Sequence, residues 1–185
     1  MEAFVQSFLL VALSEMGDKT QLLALVLAIR FKKPGAIMAG ILCATLLNHG
    51  LASLVGGWVS GFVPPHILRY ALGGIFLAFA AWILVPDKDD EGPSRSEHGA
   101  FLTTLVTFFL AEMGDKTQLA TIALGARFQA PLIVTAGTTL GMLLADGLAV
   151  VFGERLTRKI PMVWIRRVAA GFFAAFGLVI LFVGF

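Results

Sequence analysis

One short peptide constrains this chain more than any other feature. The heptapeptide Glu15-Met16-Gly17-Asp18-Lys19-Thr20-Gln21 recurs letter for letter as Glu112-Met113-Gly114-Asp115-Lys116-Thr117-Gln118, and both copies lie inside long apolar stretches. Glu15 stands 12 residues beyond Ala3, which is roughly 18 Å at the helical rise and near a bilayer centre. One charged residue inserted at that depth costs roughly 2.5–3.5 kcal/mol. A fold that keeps six such charges must compensate them.

The surroundings of the peptide are those of a membrane protein. Of the 185 residues 58% are hydrophobic and only 14% charged, too few charges for a soluble domain of this size. The net charge of +2 leaves no footprint for nucleic acid. Cys43 is the single cysteine, so an internal disulfide or a thiolate metal cluster is excluded. The start Met1-Glu2-Ala3 lacks the basic region of a secretory signal, so the first apolar stretch is expected to be a true spanning helix.

Segments 3–29, 35–62, 67–85, 99–126, 132–152 and 164–184 each carry enough apolar residues for a bilayer crossing. The expected fold is an all-α membrane protein of six transmembrane helices. Residues 86–98 form the one long polar connection and separate a first unit, 1–85, from a second, 99–185. The units repeat at a separation of 97 residues without gaps, pairing Glu15 with Glu112, Arg30 with Arg127, Pro34 with Pro131, Gly40 with Gly137, Arg69 with Arg166 and Phe79 with Phe176. Glycines, prolines and loop arginines recurring in register point to duplication rather than to shared hydrophobicity. Three helices per unit force the second copy to cross in the opposite sense, an inverted repeat with its site where the copies meet.

Loop cations set the orientation. Arg30, Lys32, Lys33, Lys88, Arg95, Arg155, Arg158, Lys159, Arg166 and Arg167 fall on one side, and Arg69 and Arg127 on the other. The first side, with the linker, is expected in the cytoplasm and both termini outside. The acidic cluster Asp87, Asp89, Asp90 and Glu91 contributes little to that rule.

On a continuous helix, Glu15, Asp18 and Lys19 share one face, with Ser14 and Gln21 on its flank, and the second copy repeats the arrangement. Two such faces meeting would gather Glu15, Asp18, Glu112 and Asp115 with Lys19 and Lys116, for a formal charge of −2. One divalent cation neutralises that charge, and so do two protons, which suggests cation/proton exchange. The four acids are the candidate metal ligands; Lys19, Thr20, Gln21, Lys116, Thr117 and Gln118 are secondary candidates. Oxygen donors suit Ca²⁺, Mn²⁺ or Mg²⁺. Met16 and Met113 offer sulfur but point about 100° from the neighbouring Glu.

Gly17 and Gly114 permit two readings, local unwinding that frees carbonyls for an ion or close helix packing of the kind expected for Gly57-x-x-x-Gly61 and Gly137-x-x-x-Gly141. Asn48, His49 and Asp146 add polar groups at matching depth, His49 and Asp146 being repeat mates. Asn48, His49 and Asp146 are secondary or proton-coupling candidates, Asp146 as an intramembrane acid and His49 as a proton shuttle; Asn48 and His49 also fit as interhelical hydrogen-bond partners. A purely structural reading pairs Glu15 with Lys19 and Glu112 with Lys116 along one helix, but leaves Asp18 and Asp115 without a role.

These residues carry a resemblance. Duplicated Glu-x-Gly-Asp-Lys-Thr, at Glu15–Thr20 and Glu112–Thr117, resembles the family of transmembrane protein 165, which includes Golgi cation transporters and bacterial manganese exporters. The likeness spans essentially the whole chain. It implies export of Mn²⁺, and in some members Ca²⁺, coupled to proton entry; the compact form resembles a prokaryotic plasma-membrane member. It implies no enzyme and no cofactor, with the lipid bilayer, the metal and protons as partners; a homodimer is compatible with it. Competing readings are an exporter of small organic cations, a passive cation channel, a non-transporting membrane subunit and an intramembrane aspartyl protease. The last needs Gly-x-Gly-Asp and a Tyr-Asp partner, whereas Glu-Met-Gly precedes each Asp and Tyr70 is the sole tyrosine.

Overall fold

A computed structural model describes residues 1–85, 99–152 and 162–183. Lys88, Arg95, Arg155, Arg158 and Lys159, the acidic cluster 87–91 and the side chain of Arg166 lie outside the described residues. Among the described residues the structure is all helical: α1 (Glu2–Glu15), α2 (Lys19–Phe31), α3 (Pro34–Ser60), α4 (Pro65–Ile83), α5 (Ala100–Glu112), α6 (Lys116–Phe128), α7 (Pro131–Phe152) and α8 (Met162–Phe182). An apolar run with little water to bond must satisfy its backbone internally, and the helix does so. Pro34 and Pro65 open α3 and α4, where a missing N–H costs nothing.

The first and fourth expected spans are not single helices. Each is broken inside the heptapeptide, giving α1 and α2 in one copy and α5 and α6 in the other. The break is a backbone matter: Gly17 has φ 82° and Gly114 φ 79°, a region that disfavours L residues by roughly 1–2 kcal/mol. A Cβ on Gly114 would meet nothing within 4 Å. The glycine therefore serves the unwinding, not close packing. Of the described helices, α3 and α7 are long and apolar enough to cross a bilayer as single helices.

The copies match in detail. α2 ends at Lys32 (φ 51°) and α6 at its mate Gln129 (φ 49°); their backbone N–H groups donate to Ala28 at 3.0 Å and to Gly125 at 2.9 Å. The guanidiniums of Arg30 and Arg127 lie over Phe31 and Phe128 at 5.0 and 5.1 Å.

The two halves exchange partners. α3 packs on α5, α6 and α7, while α7 packs on α1 and α2. Small residues allow the close approach: a Cβ on Gly40 would lie 2.9 Å from the Phe101 carbonyl, and one on its mate Gly137 2.7 Å from that of Phe4. Gly141 also meets α1, but at Gly57 and Gly61 no neighbouring helix comes that near; Gly56 instead abuts the Ile122 carbonyl. The halves share both apolar cores, one joining Leu10, Phe76, Leu124 and Phe173, the other Val11, Ile41, Phe108 and Met142. At the centre α1 lies beside α6 and α2 beside α5, and α4 packs along α8.

Candidate cation site

The two helix breaks meet in the middle of this bundle. Glu15 and Glu112 close α1 and α5, and Asp18 and Asp115 stand at the N-caps of α2 and α6. Each break thus places a Glu at a helix C-terminus and an Asp at the next N-terminus, where the helix dipole favours negative charge. All four acids are buried. The unbroken helix that would put Glu15, Asp18 and Lys19 on one face does not form; the acids flank a break instead.

The lysines pair across the halves. Lys19 Nζ lies 3.8 Å from Asp115 Oδ2, and Lys116 Nζ lies 4.0 Å from Asp18 Oδ1. Local pairing of Glu15 with Lys19 and of Glu112 with Lys116 is not what forms. The break separates each lysine from the Glu four residues before it onto another helix, and the lysine pairs with the Asp of the opposite copy.

Glu15 is held by hydroxyls of both copies. Thr20 Oγ1 donates to Glu15 Oε2 at 2.7 Å, and Thr117 Oγ1 donates to Oε1. Its mate Glu112 accepts no hydrogen bond at either carboxyl oxygen, yet lies within electrostatic range of Glu15, Asp115, Asp146 and Asp18. Chemically equivalent positions thus differ: one carboxylate is satisfied, the other open.

The glutamines are latches. Gln21 Oε1 accepts from the Gly17 N–H at 2.9 Å, and Gln21 Nε2 donates to the Ala145 carbonyl at 2.9 Å. Gln118 repeats this with the Gly114 N–H at 2.7 Å and with Asn48 Oδ1 at 3.5 Å. Ala145 and Asn48 are repeat mates. Each glutamine therefore satisfies a donor freed by the break and ties it to α7 or α3 of the opposite copy.

Asn48 Nδ2 also donates to the Phe109 carbonyl at 3.0 Å, as an interhelical partner would. His49 does not behave so, because it is fully buried and neither ring nitrogen has a hydrogen-bond partner. Asp146 is likewise buried with both oxygens open, within electrostatic range of Glu15. Met113 is exposed, so its sulfur does not face the acids.

Among the described residues, no three His, Cys, Asp or Glu side chains converge in a geometry that would hold a metal ion. Glu15, Asp18 and Asp115 are engaged by hydroxyls or ammoniums while Glu112 is open, so the acids are gathered but not set as a cage. Sequence reasoning missed the aromatic layer beside them. Lys116 Nζ sits 6.0 Å from the Trp82 ring, and Phe79 and Phe173 line one small gap with Thr117. The 97-residue separation also pairs Phe76 with Phe173, the signal that would have exposed this layer.

Comparison with known proteins agrees with this picture. A family described as "Divalent cation/proton antiporter GDT1" matches residues 3–91 and 100–185. The chain is 48% identical over 179 residues to a Vibrio cholerae protein named "Putative manganese exporter", covering 96% of this chain and 90% of that one. It is 30% identical to GDT1-like protein 4 of Oryza sativa subsp. indica, over 96% of this chain and 72% of the relative. A GDT1-like protein of Synechocystis is 28% identical over 86% of this chain and 87% of its own. No solved structure matches. With its doubled acidic heptapeptide, its paired helix breaks and a family match over nearly its whole length, the chain belongs to the divalent cation/proton antiporter GDT1 family.

Proposed function

We propose that this protein exports a divalent cation, Mn²⁺ foremost and Ca²⁺ as a second cargo, in exchange for protons. In this reading it crosses the plasma membrane of a prokaryote six times, as two inverted three-helix repeats with both termini outside. Each broken pair, α1 with α2 and α5 with α6, counts as one crossing. The reciprocal Lys19–Asp115 and Lys116–Asp18 pairs carry the proposal. They are what two antiparallel copies meeting at mid-depth would produce, and they surround Glu15 and Glu112.

The exchange follows from charge. Glu15, Asp18, Glu112 and Asp115 with Lys19 and Lys116 sum to a formal −2. A dehydrated divalent ion or two protons restore neutrality, so the two compete for the same oxygens. Pairs at 3.8 and 4.0 Å are longer than charge-assisted hydrogen bonds. A cation entering the site competes with these ammoniums for the aspartates. Glu112, whose oxygens accept nothing, is the ready first ligand; Thr20 and Thr117 must release Glu15 before it joins. Preference for Mn²⁺ draws on oxygen donors and on the name of the Vibrio cholerae relative.

The test is flux into proteoliposomes carrying an internal pH indicator, with Mn²⁺, Ca²⁺ and Mg²⁺ compared. Mn²⁺ movement accompanied by opposite proton movement is expected. Metal flux indifferent to a pH gradient would make the protein a channel, and flux of an organic cation in place of metal would overturn the cargo.

A further inference from the structure

We infer that α4 and α8 form one gate that covers the site from a single side, sealed by Phe76, Phe79, Phe173 and Phe176. This rests on the inverted-repeat transporter reading above.

The pair is built to move as a body. Phe76 and Phe173 are repeat mates, as are Phe79 and Phe176, and all four are buried. Phe76 meets Phe176 edge-on at 4.7 Å and Phe173 at 6.0 Å, while Phe79 meets Phe173 edge-on at 6.1 Å. A Cβ on Gly177 would stand 3.0 Å from the Gly73 carbonyl. Arg69 Nε of α4 donates to the Leu181 carbonyl at 2.9 Å and to that of Ile180 at 3.2 Å, near the end of α8.

The pair sits off-centre. α4 packs on α6 and α8 on α1, while neither α4 with α5 nor α8 with α2 makes a comparable contact. α1 and α6 lie side by side, as do α2 and α5, so these are two layers of the bundle and the pair covers one. Repeat mates show the difference in exposure. Ala123 and Ala126 on α6 are 3% and 5% exposed, whereas their mates Val26 and Ile29 on α2 are 43% and 57% exposed. Leu13 on α1 is half-buried and its mate Leu110 on α5 is 62% exposed.

The seal reaches the site. Ser14, Phe79, Lys116, Thr117, Ala120 and Phe173 meet around a gap with no room for water. Beside it, an apolar cleft of about 470 Å³ lies between α3, α4 and α6, lined by Gly56, Leu72, Phe79, Trp82 and Ala123. An element seated against such a cleft slides without breaking polar bonds. Because α4 and α8 are copies, seating α4 on α5 and α8 on α2 would use equivalent surfaces. That placement would uncover the α1–α6 layer and close the α2–α5 layer. With the termini outside, the present arrangement is shut to the exterior.

Cross-linking tests this in a Cys43→Ser background. Leu72→Cys with Ala123→Cys joins positions that line one cleft. Val26→Cys with Ala169→Cys joins their repeat mates. A short bifunctional methanethiosulfonate should link both pairs in membranes, and each link should abolish Mn²⁺ flux until reductant restores it. Failure of the Val26–Ala169 pair to link, in a protein that still transports when reduced, overturns the gate. Linking of both pairs in a protein with no metal flux would leave the gate standing and sink the cargo. As a second measurement, Phe76→Leu with Phe173→Leu should raise metal-independent proton leak several-fold; an unchanged leak in folded protein counts against the seal.

Discussion

The Lys116 ammonium lies 4.0 Å from the Asp18 carboxylate, in the opposite copy of the repeat, and both side chains are buried. The mate pair Lys19–Asp115 repeats the relationship at 3.8 Å with Lys19 about a fifth exposed. Breaking a buried pair costs about 3–5 kcal/mol because a charge is left alone, and less where water reaches it. Lys116→Met should therefore lower the melting temperature more than Lys19→Met. Adding Asp18→Asn to Lys116→Met should recover part of the loss; thermal melts in detergent check both, and additive losses would remove the pairing from the stability argument.

The four acids should be separately needed for transport. Glu15→Gln, Asp18→Asn, Glu112→Gln and Asp115→Asn keep shape and lose charge, so each should cut Mn²⁺ flux about tenfold or more, in line with the functional use of intramembrane acids. Membrane insertion should be unchanged. Full transport by Glu15→Gln and Asp115→Asn would take these residues out of the mechanism.

The hydroxyls of Thr20 and Thr117 both serve Glu15. Valine at either position leaves a buried carboxylate oxygen short of a donor, at about 1–3 kcal/mol. Thr20→Val and Thr117→Val should each destabilise the protein and impair flux less than Glu15→Gln. Melting and initial-rate measurements on the same preparations decide the order.

Gly114 should tolerate the bulk of a side chain but not a β-branched residue, which resists its left-handed backbone. Its φ of 79° is left-handed, and a side chain added there would find nothing within 4 Å of its Cβ. Gly114→Asn should cost less than Gly114→Val, since Asn visits that region more readily. Equal losses in a thermal melt would mean that space, not backbone, limits the position.

Competition between metal and protons gives a sign to the pH dependence. Acidifying the side from which Mn²⁺ is loaded fills the shared oxygens with protons, so the apparent KM for Mn²⁺ should rise as pH falls there. Acidifying the opposite side should speed export. A KM indifferent to pH on the loading side would separate the proton path from the metal site.

The alternatives were decided where local rules ran out. A glycine at position 17 is compatible with a packed helix and with a broken one, and only the backbone at φ 82° decides for the break. Lys19 is well placed for Glu15 on a continuous helix; once the helix breaks, it reaches Asp115 instead. Gly57 and Gly61 show the spacing of a packing motif, yet Gly56 makes the close contact because α6 crosses α3 there.

The repeat, the apolar segments and the acids set within them are legible in residue order alone. The repeat shows in residues recurring 97 positions apart, and the weight of the acids follows from the cost of charge in an apolar medium; neither needs a partner to be read. Which lysine faces which aspartate, why Glu15 is satisfied while Glu112 is open, and which layer α4 and α8 cover were settled by packing in three dimensions. The physical reason is that the two copies have identical heptapeptides and hence identical local preferences. Equivalent residues differ only through what packs on them: unlike neighbours, as where Gln118 meets the Asn48 side chain and Gln21 the Ala145 carbonyl, or helices seated on one layer and not on its equivalent.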